Sequence, residues 1–152
     1  VRSPAVANYT VAIDTREQQP YDVPGAEVCT LPTGDYSIVG LLDRVAIERK
    51  SKADAYSSLG QGRARFRREF ERLALLDYAA VVVEDSVPGF LHRPSYSKMN
   101  PRAAIGSLIA WSVRYRVPVY FAGDREHARA LTLKLLEMYW RYRGEVGRAD
   151  LQ

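Results

Sequence analysis

The sequence predicts a single α/β domain. Short β-branched runs at residues 9–14, 45–49, 78–84 and 117–121 alternate with longer stretches at 63–76, 101–115 and 125–143 whose apolar residues recur at helical spacing. A hydrophobic share of 47% over 152 residues is enough to bury one core without cross-links. Cys29 is the only cysteine, so no intrachain disulfide forms, which fits a reducing compartment. No apolar run approaches membrane-spanning length. The first residues lack the charged-then-apolar pattern of a signal peptide.

Each element has a local reason. Residues 9–14 alternate, with Tyr9, Val11 and Ile13 on one face and Thr10, Ala12 and Asp14 on the other. A Pro-containing loop leads to a short strand at 27–31. Pro32-Thr33-Gly34-Asp35 reads as a tight turn. Extended residues 36–39, a loop at 40–44 and a strand at 45–49 form an antiparallel hairpin. A short helix at 54–59 is broken at Gly60-Gln61-Gly62. The helix at 63–76 buries Phe66, Phe70 and Leu73 at i, i+4 and i+7. The apolar run 78–84 is a strand covered on both faces, and 85–96 is a loop. Asn100 and Pro101 open the next helix as N-cap and first residue. A last buried strand is expected at 117–121, and Asp124 caps the final helix.

The chemistry gathers around residues 45–54. Along a strand, Glu48 and Lys50 emerge on one face and Arg49 on the other. The hairpin brings Asp35 to the same end as Glu48 and Lys50. Asp14 closes its own strand at that rim, and Asp54 follows where a helix begins. Carboxylates beside a lysine make a metal and phosphate site: oxygen donors for Mg²⁺, and a compact positive charge for phosphate. By composition alone, a solvated strand end is the more natural reading. His92 and His127 lie far apart, which argues against a histidine metal site. No Gly-rich phosphate loop or Gly-x-Ser-x-Gly elbow is present. The net charge of +4 and a pI of about 9.3 point to a polyanionic partner. The excess sits partly on the 63–76 helix, at Arg63, Arg65, Arg67, Arg68 and Arg72. Arg63, at the glycine-flanked entrance, is the first candidate for phosphate contact.

Ile13-Asp14-Thr15-Arg16-Glu17, Gly34-Asp35-Tyr36 and Glu48-Arg49-Lys50-x-x-x-Asp54 together resemble the nuclease domain of the XPF family of structure-specific endonucleases, whose signature is GDx(n)ERKxxxD. Ser58-Leu59 and Gly62-Arg63 are similar to family positions entering its long helix. The resemblance spans about residues 9–142. It implies a restriction-endonuclease-like fold, with a mixed central sheet flanked by helices. It also implies Mg²⁺- or Mn²⁺-dependent cleavage of DNA phosphodiesters near single-strand/duplex junctions, in repair or recombination. By that resemblance Asp35 and Glu48 are metal ligands, with Asp14 close enough to join them, and Lys50 orients or activates water. Arg49 and Asp54 complete the catalytic motif. Arg16, Arg63 and Arg67 are the candidate DNA contacts. Family members commonly carry a glutamine in the long helix, and Glu69 stands at about that place here.

One nuclease domain is expected over 1–152, with its core at about 9–143. Only nine residues follow Arg143, so the family's C-terminal helix-hairpin-helix pair is expected to be absent. The expected location is intracellular and DNA-associated: cytoplasmic at the nucleoid for a prokaryotic or viral chain, nuclear for a eukaryotic or archaeal-like excised domain. A homodimer through the last two helices is expected, because each carries more apolar residues than one docking stripe needs; on the last, Leu131, Leu135, Met138 and Tyr142 share one side, and Leu133, Leu136 and Trp140 lie around the others. The competing reading is a catalytically silent nuclease-like module for DNA binding or dimerisation. The retention of Asp35, Glu48, Lys50 and Asp54 argues against it.

Overall fold

The computed structural model describes residues 8–147. One mixed six-stranded sheet runs through them in the order β2-β1-β3-β4-β5-β6. Its strands are β1 (Val11–Asp14), β2 (Glu27–Cys29), β3 (Tyr36–Ile38), β4 (Val45–Lys50), β5 (Tyr78–Val83) and β6 (Val119–Phe121). Only β3 runs against the others: it is antiparallel to both β1 and β4, whereas every other pairing is parallel. The C-terminal ends of β1 and β4 therefore share one rim with the start of β3. That rim is where α/β sheets place their sites.

Helices cover both faces. Helices α1 (Lys52–Leu59), α2 (Arg63–Leu73) and α4 (Pro101–Tyr115) pack on the face of Ala46, Val81 and Val83, burying Phe66, Phe70, Leu108 and Trp111. Helix α5 (Arg125–Tyr142) packs on the other face, against Val45, Ile47, Ala80 and Val82. The sequence signals for these helices hold. The Asn100 and Asp124 side chains accept N–H groups of the first turns of α4 and α5. No helix among the described residues is long and apolar enough to cross a membrane.

Several details differ from the sequence reading: α1 already starts at Lys52, behind the Ser51 cap, and α2 ends at Leu73. Strand β6 is an edge strand with Tyr120 exposed, not a buried one. Val117 is buried, but Pro118 has no N–H for the ladder and contributes only its carbonyl, to Val81 N–H. Strand β2 stops at Cys29 because the Leu31 N–H turns away to the Asp14 carboxylate. A one-turn helix, α3 (Val87–Phe90), interrupts the 85–96 loop, capped by Ser86 Oγ accepting from Gly89 N–H. On α5 the buried line is Ala128, Thr132, Leu136 and Tyr139, so Leu136 lies in the core and not on an outer stripe. Trp140 is half-buried against Tyr9. Since α4 and α5 cover opposite faces, the two do not form one continuous apolar surface.

Gly34 makes the entry to β3 possible. Its φ is +80°, and a Cβ there would meet the Ala46 Cβ at 2.8 Å. Gly34→Ala is expected to cost about 2–4 kcal/mol, from left-handed strain plus overpacking. Urea unfolding followed by circular dichroism checks this; a loss under 1 kcal/mol would mean that Ala46 and the turn yield easily.

Candidate active site

Asp35 is tied down through three of its own groups. Its N–H donates to Ile47 O on β4 (2.9 Å), and its carbonyl accepts from Asp14 N–H on β1 (2.8 Å). Its carboxylate accepts from Arg49 N–H at 2.7 Å. The turn thus presses the carboxylate against β4, beside Glu48. Glu48 is buried and its Oε2 lies 3.1 Å from Lys50 Nζ. The ammonium also sits 4.8 Å from the centre of the Phe66 ring on α2. One turn further along α2, Glu69 comes up to Glu48 and Lys50. Asp54, in the first turn of α1, lines the same depression of about 360 Å³, together with Arg16, Asp35, Glu48 and Lys50.

The electrostatics follow from burial and from crowding of like charges. Burial pushes the Asp35 carboxyl up to about 8, with Glu48 adding to the effect and the Arg49 N–H opposing it. Glu48 is also raised: burial comes first, Glu69 adds, and Lys50 works against it. For Lys50 burial disfavours the charged form, but Glu48 and Glu69 outweigh it and hold the ammonium above its ordinary range.

Asp14 is placed differently from its expected partners. Its carboxylate takes Arg16 Nε at 2.8 Å and Leu31 N–H at 2.9 Å. Burial opposes its charge, but these donors hold it below the usual carboxylate range. The structure brings Asp35, Glu48, Lys50 and Asp54 together and leaves Asp14 paired with Arg16. Among the described residues, no three acidic, His or Cys side chains form a ready-made cation cage. Arg63 lies 4.9 Å over the Trp111 ring, and Arg67 pairs with Glu71 at 3.8 Å on an exposed face.

Arg49 faces the opposite side of β4, as alternation predicts. There its guanidinium bonds Glu17 (Nε, 3.0 Å) and Glu84 (Nη1, 2.9 Å), and all three side chains are buried. Tyr21 donates to Glu84 at 2.7 Å, and Arg125 approaches the same carboxylate at 3.4 Å. The sequence reading had missed Glu17, Glu84 and the position of Glu69. The i, i+3 spacing of Phe66 and Glu69 was a usable signal for the last. Nothing local marks Glu84, which reaches Arg49 only through the β4–β5 register.

Fold and site together define a restriction-endonuclease-like domain of the XPF nuclease type. The chain belongs to the ERCC4 domain family, whose family model matches residues 13–135. The fold is similar to that of XPF from Aeropyrum pernix, with a TM-score of 0.67 and 24% identity, over 90% of this chain and 64% of that one. It is similar as well to XPF from Aeropyrum pernix in complex with DNA, with a TM-score of 0.64 and 23% identity, over 93% of this chain and 69% of that one. This chain therefore spans a little under two thirds of the length of the first of these structures. No curated protein is a detectable match.

The raised Asp35 predicts a pH signature. Folding favours its neutral form, so its contribution to stability is whole below the unfolded value of 3.8 and is lost as pH rises through about 8. Asp35→Asn should therefore gain on the wild type as pH rises in EDTA. The difference in Tm should be small near pH 4 and widest above pH 8. A difference that stays flat with pH would refute the buried, repelled carboxyl.

Proposed function

We propose that this domain is a divalent-metal-dependent DNA endonuclease. It hydrolyses phosphodiester bonds near single-strand/duplex junctions in repair or recombination. The observation that carries this is the convergence of Asp35 and Glu48 on one rim with a charged Lys50 between Glu48 and Phe66. Membership of the ERCC4 domain family and the likeness to a protein solved with DNA support it.

Asp35 and Glu48, with Glu69 behind them, offer oxygen donors only, and their charged forms repel one another. That set fits a hard cation such as Mg²⁺ or Mn²⁺, which would relieve the repulsion. Asp35 and Glu48 would hold it. When bound, such an ion supplies Lewis-acid assistance and acidifies water. The chain's own groups do the rest. Lys50, kept protonated by Glu48 and Glu69, acts as a donor and a positive charge for the phosphate, not as a base. Arg16 stands at the rim with its guanidinium mostly exposed, and it can reach a neighbouring phosphate while still bonded to Asp14. Arg63 and Arg67 offer charge further out, and Asp14 serves by holding Arg16.

A homodimer completes the reading. The outer stripe of α4 leaves Ile109 and Val113 exposed at 56% and 74%, and Tyr120 is exposed on the neighbouring edge strand β6. Apolar residues clustered at an open sheet edge suit a two-fold contact between copies.

Two outcomes are expected. Asp35→Asn and Glu48→Gln should fold, yet lose at least about 100-fold in cleavage of splayed-arm DNA in Mg²⁺. Near-wild-type cleavage by either would refute the site. In sedimentation equilibrium, the wild type should rise above monomer mass at micromolar concentration, and Ile109→Glu/Val113→Glu should remain monomeric. A wild type that stays monomeric as concentration rises would refute the dimer.

A further inference from the structure

Two depressions continue outward from the site. The first, about 500 Å³, shares Lys50 with it and is lined by Arg65, Glu69 and Arg72 of α2 and by Ser57 and Gln61 before it, with Arg65 at the end nearer Gln61. The second, about 740 Å³, shares Ser57 and Gln61 with the first and ends at Tyr96 and Lys98. Arg65, Glu69 and Arg72 stand at i, i+4 and i+7, so one face of α2 forms the wall. The arginines differ in what occupies them. Arg63 lies on Trp111 and Arg67 pairs with Glu71, whereas Arg65 and Arg72 are exposed and have no ion pair among the described residues. At the far end Tyr96 is 67% exposed, and its ring stacks on no other among the described residues.

We propose that this groove holds the single-stranded arm of a DNA substrate, with Arg65 and Arg72 on its phosphates and one base stacked on Tyr96. The inference rests on the nuclease reading of the site and names the part of the substrate that leaves it. Charge selects the backbone: two guanidiniums without ion pairs line the same depression as the ammonium of Lys50, and Lys98 lines the next one. The aromatic selects the strand. In a duplex the faces of the bases are covered by their neighbours, so only an unpaired strand can offer one to a ring in a groove. Stacking and phosphate contact are the two terms by which single strands are held without sequence preference.

Fluorescence anisotropy of the whole chain in EDTA, with labelled dT20 and a blunt 20-base-pair duplex as probes, tests this. Arg65→Ala/Arg72→Ala should weaken dT20 binding and reduce its salt slope by about 1.4, from two lost phosphate contacts. The charge-keeping Arg65→Lys/Arg72→Lys should retain most of it. Tyr96→Ala should weaken dT20 binding by about tenfold with the slope unchanged and leave duplex binding as it was. Tyr96→Phe should restore it. Arg68→Ala, on an exposed position outside the groove, should bind like the wild type. The groove is refuted if the alanine variants at 65, 72 and 96 bind dT20 like Arg68→Ala, or if the wild type does not bind dT20. The single-strand assignment is refuted if Tyr96→Ala weakens duplex binding equally. Cleavage of splayed-arm DNA in Mg²⁺ by the same proteins separates the two readings. A wild type that binds along the groove but never cuts removes the nuclease reading alone. A wild type that cuts, with binding indifferent to positions 65, 72 and 96, removes the groove alone.

Discussion

The three bonds that anchor Asp35 are the constraint on which the rest of the structure depends. They join the β3 turn to β1 on one side and β4 on the other through backbone groups, so the carboxylate cannot retreat from Glu48. The one counter-running strand, β3, matters for that reason. It delivers its first residues to the rim where β1 and β4 end. A parallel strand in its place would put Asp35 at the far end of the sheet. Gly34 and the small Ala46 across from it are the steric conditions for that delivery.

Holding Asp35 and Glu48 at such close quarters opposes stability. Burial and mutual repulsion both disfavour their charged forms, and the backbone donor at Arg49 and the ammonium of Lys50 offset only part of this. Such a centre persists because the sheet beneath it is buried on both faces and over-determines the geometry. Strain of this kind is what the proposed phosphate chemistry would require.

Much of this was legible in the sequence. The hairpin that unites Asp35 with Glu48 and Lys50 follows from a Pro-x-Gly turn and period-two alternation. The split between Lys50 and Arg49 follows from the same rule. What could not be read was which cation goes where. On α2, five arginines crowd eleven residues, and only the seating of Phe66 and Trp111 decides that Arg63 turns to the indole while Arg65 and Arg72 face the groove. Asp14 likewise looked free to join its neighbours, because a guanidinium two residues on leaves no periodic signal of its preference. The edge position of β6 was hidden because an apolar run does not disclose how many neighbours it has.

The ion-pair cluster beneath Arg49 shows that three adjacent letters of a motif need not be one working part. Glu48 and Lys50 face the depression of the candidate site; Arg49 braces the reverse side of the sheet against Glu17 and Glu84. Truncating Arg49 would strip the buried Glu17 of its ion pair and leave Glu84 with Tyr21 and Arg125 alone, a loss of about 3–5 kcal/mol for such pairs, and would loosen the peptide whose N–H anchors Asp35. On the nuclease reading proposed above, activity would be lost without Asp35, Glu48 or Lys50 having been replaced. Inactivity alone cannot distinguish a hand from the wrist that holds it.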